Sequence, residues 1–169
     1  WYYLAWMAET VRNSDLRSKQ LMEKNQHFTL HDRHLLVEVI NELINGVIVR
    51  YKKLAETGRI ELTMTPYANP IMPLLIDLKF TKKAMPDVEL PLAEEYPGGL
   101  ERTRWHIQKG IEVFKKYFGF EPKGCWPSEG SISDETVNLV SDMGFDWLAS
   151  GETVLRNSMD KSEIEMNEC

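Results

Sequence analysis

The sequence has 169 residues, of which 43% are hydrophobic and 27% charged, with a net charge of −6. That length supports one domain with a real core, or part of a larger one, and the composition is that of an ordinary soluble globular protein. The acidic balance, with basic residues no more clustered than pairs such as Lys52–Lys53, argues against nucleic-acid binding. No stretch reaches the roughly 18 apolar residues of a membrane span.

The chain opens on WYYLAWMAETVR, apolar and aromatic but without a basic start or a small-residue cleavage site, so it is not a signal peptide. It lacks an initiating Met, so it is expected to begin inside an element. Two cysteines, Cys125 and Cys169, are too few for a disulfide framework, and a reducing, cytoplasmic setting is the default.

WYYLAWM has no helical period and reads as a buried strand. The polar stretch from Glu9 to Gln26 reads as a short helix or an insertion. Thr29 is placed to cap the longest helix, with Asp32 completing something close to a capping box. Leu35, Leu36, Val39, Ile40, Leu43, Ile44, Val47 and Ile48 follow at three- and four-residue spacing, a one-faced stripe. Gly58 is the expected stop.

RIELTMT alternates and predicts a strand. PYANPIMPLLID is rich in proline and reads as a loop, with room for one helical turn after Pro70. Residues 79 to 99 read as a further loop, and so long a connection is more often functional than idle. A second helix is expected from about Glu101 to Phe118, with Trp105, Ile107, Ile111, Phe114 and Phe118 facing inward. KGCW reads as a short buried strand, Ser131 or Ser133 as the cap of a helix through Met143, FDWLAS as a strand and ETVLRN as a short helix. Strands and helices alternate, which predicts an α/β layout with parallel strands. The barrel-like domain is expected over residues 1–159, with a polar tail or truncated continuation over 160–169.

In such folds the loops that leave the carboxyl ends of the strands form the site. TPYANP and PSEGS have that address. Trp126 and Tyr67 offer flat apolar faces suited to sugar rings, and rigid prolines fix geometry in advance. Read from the residues alone, Glu129 is either a placed carboxylate or a charge favoured by the dipole of the helix that follows. Glu61, inside an apolar strand, points either to solvent or into a polar site.

Three segments carry a resemblance to glycoside hydrolase family 57, the amylase and glucanotransferase family. GRIELTMTPYANPIMPLLID (58–77) resembles its second conserved region, with a P-Y/F-x-H-P box and a following P-L-L. FGFEPKGCWPSEGSIS (118–133) is similar to the third region, which carries W-P-S/A-E-G, and MGFDWLASGETVL (143–155) to a W-I/L-A-S/T-x-E segment. The match is collinear from about Trp1 to Ser158.

The resemblance implies an incomplete (β/α)7-type barrel, only part of it in this chain, and retaining action on α-glucans such as starch, glycogen and maltooligosaccharides. It assigns the nucleophile to Glu129 and keeps a Glu at Glu61. Tyr67, Asn69 and Trp126 would line the substrate site, with no cofactor and no metal. Retention needs a second group about 5 Å away to protonate the leaving oxygen. The family's acid, an Asp of a fourth region, is expected downstream, and the first region upstream, so the chain is expected to be an inactive fragment of the catalytic domain.

Asn69 stands where the family has His, and an Asn cannot carry a proton. EYPGGLERTRWHI replaces an acidic pair and Ala, a change without an account.

Two other functions compete. One is a non-catalytic glycan-binding or scaffold domain, for which Asn69 is the motive. The other is a polysaccharide deacetylase-like enzyme, which needs a local Asp and paired His at strand ends. His31 and His34 in HDRH fit a solvated helix face better than a metal site. Cys125 reads as a small buried residue. Linkage, chain-length preference and oligomeric state are not encoded in these signals.

Overall fold

In a computed structural model, residues 1–93 and 95–162 are described, and they divide into two compact units, Trp1–Thr57 and Gly58 onward. The first unit is all helix: α1 Tyr2–Trp6, α2 Glu9–Ser14, α3 Leu16–Lys24 and α4 Leu30–Glu56. Local capping explains where two of these begin. The Asp15 carboxylate accepts from Ser18 N at 2.9 Å and starts α3. Thr29 Oγ1 accepts from Asp32 N while Asp32 Oδ2 accepts from Thr29 N at 2.6 Å, so the expected capping box is formed at α4. Lys24 also reaches Asp32, and its side chain, ahead of the Thr29 amide, lowers the Asp32 carboxyl to about 2.

WYYLAWM is a helix, not the buried strand expected from its composition. Leu4 alone is buried, in a cluster with Leu21 and Leu36, while Trp1, Tyr2, Tyr3 and Trp6 stay exposed. An aromatic run this short has no period that separates strand from helix, and here the local bond Ala5 N to Trp1 O at 2.8 Å wins. The α4 stripe is likewise only partly used: Leu36 and Val39 are buried, whereas Ile44, Val47 and Ile48 are exposed.

The second unit carries β1 Thr63–Met64, α5 Met72–Ile76, a 3-10 turn Leu78–Phe80, α6 Thr81–Ala84 and α7 Gly99–Phe118. It continues with β2 Gly124–Cys125, a 3-10 turn Ser128–Gly130, α8 Asp134–Asp142, β3 Trp147–Leu148 and α9 Glu152–Ser162. The loop expected after residue 79 thus contains helical turns. Residues 163–169 of the expected tail lie outside the described residues. Ser133, not Ser131, caps α8, accepting from Thr136 N at 3.2 Å.

The three strands are parallel and lie in chain order, β1-β2-β3, with Thr63 beside Gly124 beside Trp147 and Met64 beside Cys125 beside Leu148. Parallel neighbours in chain order require each crossover to return on the same side. Accordingly, one face of the sheet is packed: Met64 and Cys125 join Ile107 and Phe114 of α7 and Leu139 and Val140 of α8 in one core. The other face is open. Glu61, Thr63 and Thr65 are exposed, alternating with Ile60, Leu62 and Met64, which are not; this is the period of two that defines a strand's faces. The hydrogen-bonded ladders are only two residues long, shorter than the seven-residue strand expected for RIELTMT.

Helix α7 lies close to β1 because Gly110 faces it. A Cβ at Gly110 would stand 2.7 Å from Met64 Sδ and 3.3 Å from Tyr67 N. The inner positions Ile107 and Phe114 are buried as expected. Trp105 is not, being 54% exposed: it lies two residues from both Thr103 and Ile107, about 200° round the helix, and so faces away from the core. No helix among the described residues is long and apolar enough to cross a membrane.

Candidate active site

The loops leaving β1, β2 and β3 interlock at the carboxyl end of the sheet. After β1, buried Pro66 leads into a tight turn in which Asn69 N donates to Pro66 O at 3.0 Å. Ala68 and Asn69 there have φ of 60° and 54°. Helix α7 grips this turn from outside. Tyr67 N donates to His106 O at 3.0 Å, and His106 Nδ1 lies 2.7 Å from Tyr67 O, a bond in which Nδ1 carries the hydrogen. Tyr67 is thereby fixed through both its backbone groups.

After β2, Trp126 N donates to Met64 O at 2.8 Å, which prolongs the ladder. Pro127 and Ser128 are then buried, and Glu129 follows with φ 55°, ψ 20°. Its turn is held by Gly130 N to Pro127 O at 2.9 Å, Ser131 N to Ser128 O at 3.0 Å and Ser131 Oγ to Ser128 O at 2.7 Å. From the β3 loop, Ser150 Oγ donates to Gly130 O at 2.7 Å.

Asn69 Nδ2 donates to Glu129 Oε1 at 3.4 Å, a long bond that joins the first loop to the second. Of the five non-glycine residues with positive φ among the described residues, three are Ala68, Asn69 and Glu129. Such backbone costs of order 1–3 kcal/mol per residue and persists only where the surroundings enforce it. The enforcement is visible here in the His106, Ser131 and Ser150 bonds. The expectation that Glu129 sits in the field of a helix start is not met: α8 begins five residues later, behind its own Ser133 cap.

The structure brings Tyr67, Asn69, Trp126 and Glu129 to one end of the sheet, with Tyr67 43% and Trp126 51% exposed. It does not bring Glu61 there. Glu61 precedes β1, four residues and about 13 Å of extended chain below the level of Thr65, and its carboxylate accepts from Trp147 Nε1 at 2.8 Å. The indole reaches it by crossing Gly124, where a Cβ would come within 2.3 Å of Trp147 Cζ2. Glu61 and Trp147 therefore tie β1 to β3 across β2.

A groove of about 520 Å³ opens beside Glu129, walled by Leu74 and Phe80 of the β1–β2 connection and by Ser131, Asp134 and Val137 on the other side. Cys125, directly before Trp126, is fully buried, and burial pushes its thiol up to about 11, which leaves it protonated and without nucleophilic character at neutral pH. Two further residues hold these loops, His106 and Ser150. The signal for Ser150 was present in its address, just beyond a parallel strand; His106 had none, because its role depends on where α7 lands.

The chain belongs to glycosyl hydrolase family 57, whose model matches residues 5–167. Among solved structures it is similar to the crystal structure of a GH57-type branching enzyme from the hyperthermophilic archaeon Pyrococcus horikoshii. The identity is 17% and the TM-score 0.45, over 86% of this chain and 29% of that one. The chain thus spans under a third of that enzyme's length. No curated protein matches it.

Proposed function

We propose that this chain carries the nucleophile loop of a retaining glycosidase or transglycosylase acting on α-glucans, with Glu129 as the nucleophile. The observation that supports the reading most directly is the hydrogen bond between Asn69 and Glu129. It joins two strand-end loops whose backbones are both held in costly conformations, an arrangement that serves to fix a carboxylate and has no use in a plain connection. Retention needs such a fixed carboxylate to attack the anomeric carbon, and Glu129 is exposed at the carboxyl end of the sheet, bonded to Asn69. Trp126 and Tyr67 offer the apolar ring faces, and Asn69 offers an amide to a sugar hydroxyl. The acid that protonates the leaving oxygen is an Asp of a further conserved region in the family pattern, and no residue here is assigned to it.

On this reading the sheet is an arc of a (β/α)7 barrel. Consecutive parallel strands with helices on one face and exposed Thr63, Trp126 and Trp147 on the other suit a wall whose open face looks into a barrel. Glu61, bonded to Trp147, then acts within that wall and supports the substrate site only at a distance.

The test is Glu129→Gln in the complete catalytic domain that contains this chain, with turnover of maltooligosaccharides as the readout. An essential nucleophile predicts a loss well beyond a hundredfold, on the order of that for other essential catalytic groups. Asn69 in the place of the family His favours a second reading, a glycan-binding domain without catalysis. Binding of an α-glucan without turnover, unchanged by Glu129→Gln, would select it.

A further inference from the structure

One aromatic ring beside the site is unused by this reading. Trp105 lies on the outward face of α7 and keeps more than half of its surface in solvent, an expensive place for an indole. Its orientation is nevertheless fixed from two sides. The Tyr67 ring meets it edge-on at 5.8 Å between centroids and 88° between planes, and the His106 ring does so at 4.9 Å and 81°. Edge-to-face contacts of this kind are the favoured geometry for aromatic neighbours. Tyr67 is itself immobilised, since His106 bonds both its N–H and its C=O. The result is a right-angled corner of two exposed rings, pre-ordered before any ligand arrives. It is continuous along the chain with Asn69 and so with Glu129.

Resting on the α-glucan reading above, we propose that Trp105 and Tyr67 form an additional sugar-binding platform, which holds glucose units of a long α-glucan beyond the unit at Glu129. A pyranose ring has one largely C–H face and a rim of hydroxyls. A flat indole can cover the apolar face while the rim stays hydrated, so no buried polar partner is needed at the platform. The rigid corner suits a chain that bends from one ring to the next, and it acts only on glucans long enough to reach it. Trp105 would therefore set chain-length preference without touching the reacting atoms.

The experiment compares the affinity of the full chain for maltotriose and for maltoheptaose by calorimetric titration, in the parent, Trp105→Ala and Trp105→Phe. Trp105→Ala is expected to weaken maltoheptaose about tenfold, the factor that ~1.4 kcal/mol makes, and to leave maltotriose within about twofold. Trp105→Phe is expected to recover most of the loss, which a general packing defect would not allow. Equal behaviour of Trp105→Ala and the parent toward both sugars overturns the platform while leaving Glu129 untouched. A parent that binds neither sugar overturns both the platform and the α-glucan reading. Because binding is measured and not turnover, an error in the role of Glu129 alone would leave the chain-length difference in place.

Discussion

Asn69 and Glu129, sixty residues apart in the chain, are hydrogen-bonded to each other across the ends of two neighbouring parallel strands. Neither reaches the other by virtue of local sequence. The β1–β2 pairing aligns the strands, and left-handed backbone at both residues turns the side chains toward one another.

The residue at position 69 is expected to set how the site responds to pH. Asn69 is uncharged at every pH, so it contributes no titration of its own. Asn69→His would place beside Glu129 a group that titrates near 6.5 in its unperturbed state, roughly one unit either way in proteins. The pH profile of turnover is expected to gain an inflection in that range, absent from the parent. Asn69→Ala removes the hydrogen bond and is expected to lower kcat by about tenfold, a modest effect for one long bond in an otherwise held loop. A profile of Asn69→His superimposable on the parent would show that residue 69 does not couple to the reacting group.

The legible parts of this fold were those decided within a few residues. Thr29 and Asp32 sit three apart, and their reciprocal bonds need nothing else. The alternation of Ile60 to Pro66 displayed which face of the strand is covered, and the address of Glu129 followed from a loop between a strand and a helix. What failed depended on distant partners. The length of a ladder is set by its neighbour, so a seven-residue pattern became a two-residue strand. WYYLAWM is apolar enough for a core, but only Leu4 finds one. Trp105 belongs to an apolar series yet falls on the wrong side of the helix once Thr103, Ile107 and Gly110 define the inner stripe. The Tyr67–His106 and Glu61–Trp147 contacts join residues 39 and 86 positions apart, and nothing in either local sequence announces them.

Acid should loosen the start of α4. The Lys24 side chain, with the Thr29 amide and hydroxyl, lowers the Asp32 carboxyl from 3.8 to about 2, so the folded state binds its proton less readily than the unfolded chain does. The stabilisation is therefore present above 3.8 and lost as pH falls through about 2. Helicity followed by circular dichroism is expected to fall over that window. Asp32→Asn should remove this part of the pH dependence and start from a lower helicity, because the charge-assisted cap is gone. High salt should reduce the Lys24 contribution, since that pair lies at the surface.

Glu61 and Glu129 are both exposed carboxylates, and the structure gives them different partners, the Trp147 indole and the Asn69 amide. Glu61 acts as an acceptor for the Trp147 indole, a task a neutral amide can also perform. Glu61→Gln is therefore expected to keep turnover within about threefold of the parent, whereas on the proposed reading Glu129→Gln removes the attacking group. Glu61→Ala leaves the indole N–H without its partner and is expected to cost about 0.5–1.5 kcal/mol, read as a lower denaturation midpoint. Gly124→Ala attacks the same contact from beneath, because the new methyl would occupy the space of the Trp147 ring. It is expected to be the more damaging of the two, at about 1–3 kcal/mol, since the ring must leave its rotamer or the strands must part. Combining Gly124→Ala with Trp147→Ala removes the collision, and the double variant should then lose less stability than the sum of the two single changes. If the costs simply add, the indole does not lie over Gly124, and Glu61 is free for a role nearer the substrate.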